Sequence, residues 1–277
     1  MTADPAASND TEIARIHLDM LGELRVFPVF IRLGRCSLLD LLPPARELTE
    51  QAAAVAVARA RDRGEQISCR AGCGACCRQL VAVPVVEALA LAELVATLPP
   101  APQERVRARF RDAVHRLESV GLLDPEAPKG QRVLTIEVAG ERRAVVDALA
   151  RRYFVEQIPC PFLEEESCTI HPDRPVVCRE YHVTSPAAAC ADLYGGEVVS
   201  VQPPLHVGDA LARVAARVAG TPPSTIPLVL ALEWAEANGE RLRAPCDGMA
   251  MFRAFVEEID RDYVKPFGTR AGGGRSD

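Results

Sequence analysis

Residues 13 to 35 alternate loosely between apolar and polar positions, with Gly22 and Pro28 as punctuation, and predict short strands or a hairpin. From Pro44 to about Arg63 the period changes. Apolar residues recur at three and four among Ala, Glu and Arg, which predicts a helix ended by Gly64. PVVEALALAELVATL predicts a second helix, with Pro84 in its first turn and Pro99-Pro100 closing it. A third, PQERVRARFRDAVHRLESVG, runs to Gly121, and ERRAVVDALARRYFVEQ is a fourth. GDALARVAARVAG, IPLVLALEWAEANG and DGMAMFRAFVEEIDRDYV predict three more near the C-terminus. VLTIEV and EVVSVQ read as short strands, DPEAPKGQ as a loop, and the Gly-rich tail GTRAGGGRSD as disordered.

Two cysteine-rich segments interrupt this helical pattern. SCRAGCGACCRQL carries Cys69, Cys73, Cys76 and Cys77 within nine positions. On a helix, at about 100° per residue, these four would share one face spanning roughly 100°. Gly72 and Gly74 oppose a helix and suit a loop folded tightly around a metal. Cys73-x2-Cys76 has the short spacing used in tetrahedral zinc and iron–sulfur sites. Adjacent cysteines rarely face one small ion, so Cys76 and Cys77 suggest two metals, or one sulfur held behind the ligands. Packing as buried hydrophobes is the competing reading, but the Gly, Arg and Ser neighbours lack the apolar context it needs.

The second segment supplies Cys160, Cys168, Cys178 and Cys190 at looser spacings, as expected of ligands brought by separate loops to a site seeded by the first. His171 and His182 are further candidate ligands or hydrogen-bonding neighbours. Arg174 and Arg179 are candidates to offset thiolate charge, or to form ordinary loop ion pairs. Cys36 and Cys246 lie far from both segments in sequence and read as buried or free thiols.

Charge and composition narrow the chemistry. The formal net charge of −6 opposes nucleic acid as the main partner, and the basic runs are interleaved with acidic residues and lack stacking aromatics. The N-terminus shows no secretory signal, and the most apolar stretch is broken by Pro84, Glu87 and Glu93, so no membrane partner is expected. The expected location is the cytoplasm, where thiols stay reduced and ten cysteines point to metal over disulfides.

Cys69-x3-Cys73-x2-Cys76-Cys77-Arg78, then Cys160-Pro161-Phe162-Leu163, Cys168-Thr169-Ile170-His171 and Arg174-Pro175-x2-Cys178-Arg179, resemble the YkgJ-type cysteine-cluster family, or CxxCxxCC family, a zinc- or iron-chelating domain. The resemblance covers about residues 66 to 194. Two departures are the three-residue first gap and His171, where many members have Tyr. Membership implies metal chelation. Many members carry the label Fe–S oxidoreductase, and a flagellin lysine methylase is similar to the family across its cysteines.

The expected fold is mainly α with a few short strands (α+β), an irregular metal-bound cysteine core surrounded by helices. It forms one domain over 1–277: N-terminal strands and helix (1–65), cysteine-cluster region (66–194), C-terminal helical region (195–265) and tail (266–277). The expected function is a cytosolic metal-binding protein whose eight clustered cysteines hold an iron–sulfur cluster, favoured, or zinc, in concert with a protein or redox partner. A cluster-dependent oxidoreductase or protein lysine methylase-like enzyme is one alternative. A thiol-based redox sensor is another. No Gly-rich nucleotide fingerprint, P-loop or barrel pattern supports an enzyme of the usual radical architecture.

Overall fold

The structure, a computed structural model, describes residues 11–20, 23–32, 34–136, 141–195 and 197–262. The expected N-terminal strands form one antiparallel hairpin, β1 (Thr11–Met20) and β2 (Glu23–Arg32), with Ile16 opposite Phe27 and Leu18 opposite Arg25. Because side chains alternate across a strand, Ile16, Leu18, Met20, Phe27, Val29 and Ile31 all face inward and are buried.

After β3 (Arg35–Cys36) and a 3-10 turn, α1 (Leu42–Asp62) begins with prolines at its first positions, where a missing N–H costs nothing. Beyond the first cysteines come β4 (Ala82–Pro84), α2 (Val85–Thr97), α3 (Pro100–Ser119) and α4 (Arg142–Val155). The second cysteine segment contains β5 (Leu163–Glu164), β6 (Ser167–Cys168), α5 (Val176–Glu180) and β7 (His182–Val183). Then follow β8 (Ser200–Val201), α6 (Val207–Ala219), β9 (Thr225–Pro227), α7 (Ala231–Leu242), β10 (Cys246–Asp247) and α8 (Gly248–Asp262). The mainly α, α+β class expected from the pattern is the class observed.

The main core lies under the hairpin. Its inner face packs with Leu48 of α1, Leu89 of α2, Leu211 and Val214 of α6 and Phe255 of α8. Each such fully buried side chain contributes roughly 1.5–3 kcal/mol against exposure. A second apolar cluster, including Val83, Leu91, Phe110, Phe162, Ile170 and Leu228, lies against Cys160 and Cys168. Phe110 and Phe162 meet edge to face there, with centroids 5.5 Å apart.

Several elements differ from expectation. VLTIEV forms no strand among its described residues, only one bridge from Leu134 to Leu123; Glu137 and Val138 lie outside the described residues. EVVSVQ shortens to β8, because only its last part meets a partner, β7. The segment starting at Ile226 opens as β9, paired with β4, before α7 begins at Ala231. Pairing with β4 holds Ile226 and Pro227 extended, and a 3-10 turn over Leu228–Leu230 precedes the helix. The expected disordered tail lies outside the described residues.

Candidate metal centre

The first cysteine segment is a loop with one 3-10 turn, Ala75–Arg78, and not a helix. Gly72 has φ +79°, which ends any helical path there, and Cys73 N–H turns back to Arg70 O at 3.2 Å. Ser68 N–H donates to Val183 O at 3.0 Å and its hydroxyl also donates to Ser185 O, which places Cys69 beside β7. Cys77 N–H donates to Gly74 O at 2.9 Å, tightening the turn that carries the adjacent pair.

The second segment closes onto this loop. Cys160 N–H donates to Cys77 O at 2.7 Å, and Leu163 N–H donates to Cys160 O at 2.8 Å. β5 and β6 pair Leu163 with Cys168, joined by Glu165 and Glu166 at φ +48° and +57°. A two-residue turn of this hand normally takes Asn or Gly. Here Glu166 gains a partner instead, a forked ion pair with Arg78 at 2.6 and 3.0 Å. A Cβ on Gly74 would lie 2.6 Å from both Leu163 Cδ1 and Glu166 Oε2, so this junction admits only glycine without displacement.

Cys178 sits on the short α5, whose start is held by a buried carboxylate: Val176 N–H donates to Glu87 Oε1 at 3.0 Å. Arg179 points away from the cysteines, bonding Glu50, Pro172 O and, at 2.9 Å, Arg174 O. At the far end of α5, Glu180 accepts from Val207 N–H at 3.0 Å. Cys190 is buried on the 3-10 turn Ala187–Asp192.

All eight sulfur-bearing residues predicted as ligands line a single cavity of about 740 Å³. His171, His182, Tyr181, Arg70 and Arg174 line it too, whereas Arg179 does not. The ten cysteines are free thiols. Among the described residues, no group of three or more His, Cys, Asp or Glu side chains is gathered in an arrangement that could hold a metal ion. The sulfurs thus share one cavity without being drawn into a coordination shell.

Electrostatics shows how closely they communicate. Burial pushes the Cys69, Cys168 and Cys190 thiols up, Cys160 up to about 12 and Cys178 well above the usual range, and the Cys76 sulfur adds to the shift in all five. Cys76 itself is raised by its hydrogen bond with Cys77 and then by burial. Cys76 is therefore electrostatically central to the cavity. An array that resists ionising thiol by thiol fits a thiophilic cation, whose charge replaces the protons. Arg174 supplies the protein's own positive charge, lowering Cys69, Cys76 and Cys168 as a lesser cause, and its Nε is buried without a hydrogen-bond partner. Arg174 and burial together hold His171 below its ordinary value, and burial does the same to His182.

Sequence reasoning named Arg174 and Arg179 as equals; the structure separates them. It missed Glu87, the support of α5. The one available signal was a carboxylate near the start of an apolar helix that carries only one other, Glu93. It also missed that Cys36 and Cys246 are neighbours, since only pairing of β3 with β10 unites them.

Among the described residues no helix is long and apolar enough to cross a membrane. No curated protein and no solved structure matches the chain. Residues 68–193, which carry all eight cavity cysteines, match the model of the CxxCxxCC family, described as a putative zinc- or iron-chelating domain.

Proposed function

We propose that Cys69, Cys73, Cys76, Cys77, Cys160, Cys168, Cys178 and Cys190 are the metal ligands of a cytosolic protein, and that the metal is an iron–sulfur cluster in preference to zinc. The observation that carries this reading is that all eight line the same cavity. When bound, the cluster supplies an electron-transfer centre or, as zinc, a structural one.

A polynuclear or two-centre arrangement is supported by how the sulfurs divide. Cys160 and Cys168 lie against the apolar cluster that contains Phe162 and Ile170. After burial, Cys178 is raised by Cys160, Cys76 and Cys168, whereas Cys190 is raised by Cys69, Cys76 and Cys73. Cys76 is the sulfur common to both sets, as expected of a residue lying between two centres or within one polynuclear centre.

The chain's own residues hold this arrangement. The Arg78–Glu166 pair and Gly74 clamp the β5–β6 turn onto the first loop, Glu87 holds the start of α5, and Arg174 offsets thiolate charge. A cavity of about 740 Å³ is also in the range of ligand sites. The exposure of Cys69 at this cavity supports a redox role, with a partner reaching the centre, over a purely structural one.

Anaerobic purification followed by metal analysis, acid-labile sulfide assay and a visible spectrum tests the proposal. Iron with sulfide and a broad visible absorption is expected. Colourless protein with stoichiometric zinc would overturn the iron–sulfur assignment, and metal-free folded protein would overturn chelation itself.

A further inference from the structure

Cys36 and Cys246 play no part in the cavity, and neither lines it. They are directly opposed on the antiparallel pair β3–β10, with Arg35 opposite Asp247 alongside. Their sulfurs lie 3.7 Å apart, although the residues are separated by 210 positions in the chain. Cys36 is buried and Cys246 half-buried. Cys246 Sγ also lies 3.5 Å from Met251 Sδ and 3.4 Å from Cys36 O, and Cys36 Sγ lies 3.6 Å from Cys246 O, so the two thiols face each other across the seam.

The seam is held close by backbone. Gly248 N–H donates to Gly34 O at 2.7 Å, and a Cβ on Gly248 would fall 2.2 Å from Arg32 O. Directly paired antiparallel residues have Cα atoms about 4.5–5.5 Å apart, which lies within the roughly 4.4–6.8 Å spanned by disulfides. The sulfurs can therefore close to about 2.05 Å by side-chain rotation, without moving the strands.

We propose that Cys36 and Cys246 form a reversible disulfide, a covalent staple between the hairpin end of the chain and α8, made by exchange with a small-molecule disulfide such as oxidised glutathione. The half-buried Cys246, as thiolate, attacks one glutathione sulfur and releases the first glutathione as thiolate. Cys36 then attacks the Cys246 sulfur of the mixed disulfide, giving up its proton, and the second glutathione leaves. Two protein thiols are oxidised and one glutathione disulfide is reduced to two thiols, which take up the two protons. Burial, then the Cys246 sulfur, pushes Cys36 up to about 12, in keeping with its part as the second, resolving thiol. The staple stands apart from the metal reading, because neither sulfur belongs to the cavity.

The test uses the full, metal-loaded chain incubated with oxidised glutathione, acid-quenched, alkylated with iodoacetamide, digested and mapped by mass spectrometry. The expected product is a linked peptide pair, two hydrogens lighter than the sum of its free halves, restored to two alkylated peptides by dithiothreitol. Metal content stays unchanged, and the melting temperature rises by about 5 °C or more, because closing so long a loop restricts the unfolded chain. Cys36→Ser and Cys246→Ser each lose the linked peptide and the melting shift. Both cysteines alkylated after oxidation, a persisting glutathione adduct on Cys246, or linkage of either to a cavity cysteine would each overturn the proposal. Direct mapping of the wild-type chain distinguishes these outcomes even if a serine variant folds poorly.

Discussion

The backbone N–H of Cys160 donates to the carbonyl oxygen of Cys77 at 2.7 Å, joining the two cysteine segments at residues that line the same cavity. The bond is made between main-chain atoms, so backbone pairing helps to hold the two segments together. Loss of metal should accordingly loosen the loops without erasing the helical core.

Substituting a ligand separates one shared centre from two. Cys178→Ser and Cys73→Ser are each expected to lower both metal content and solubility. If the sulfurs form two centres, each variant retains about half the metal, whereas Cys76→Ser loses more than either. Metal-to-protein ratios of anaerobically prepared variants measure this, and wild-type ratios in both single variants would refute the ligand assignment.

Gly74→Ala tests the clamp between the segments. The added methyl would meet Leu163 and Glu166 at 2.6 Å and the Glu166 backbone at 3.1 Å. Displacing the turn is expected to cost about 1–3 kcal/mol, as overpacking does. Denaturant unfolding of the loaded protein reads the loss, and Gly72→Ala, with open space around its Cβ but φ +79°, serves as a comparison for backbone strain alone.

Glu87 gives stability a pH dependence. Its carboxyl is pushed up to about 7 by burial, against a hydrogen bond from Val176 and the Arg46 and Arg179 charges. Between about 4.5 and 7 the folded state keeps this proton while the unfolded state has lost it. Stability from this group is therefore greatest at acid pH and falls as pH rises, by about 3 kcal/mol across the window. Glu87→Gln keeps an acceptor for Val176 N–H and is expected to flatten that fall. An unchanged difference in unfolding free energy between pH 5 and pH 8, variant against wild type, would count against it.

Arg174 and Arg179 should behave differently under the same substitution. Arg174→Gln removes a cavity charge and is expected to speed metal loss to a chelator several-fold, with Arg174→Lys recovering part of the retention. Arg179→Gln instead frees Glu50 and the Pro172 and Arg174 carbonyls, and is expected to lower thermal stability. Equal chelator kinetics for the two glutamine variants would remove the distinction.

Local pattern carried the helices and the hairpin, because periodic burial is written into neighbouring positions, and the short spacing of Cys69, Cys73, Cys76 and Cys77 marked the first cysteine loop. The loop that Gly72 and Gly74 indicate around the first cysteines is the one observed, with Gly72 at φ +79°. The start of α7 was misplaced because pairing of β9 with β4 is a contact between distant segments. Only tertiary structure could put Cys190 in the same cavity as Cys69, direct Arg174 inward and Arg179 outward, place Glu87 under α5 and bring Cys36 to Cys246. Each of these depends on packing between residues far apart in the chain, which a sequence read a few residues at a time does not contain.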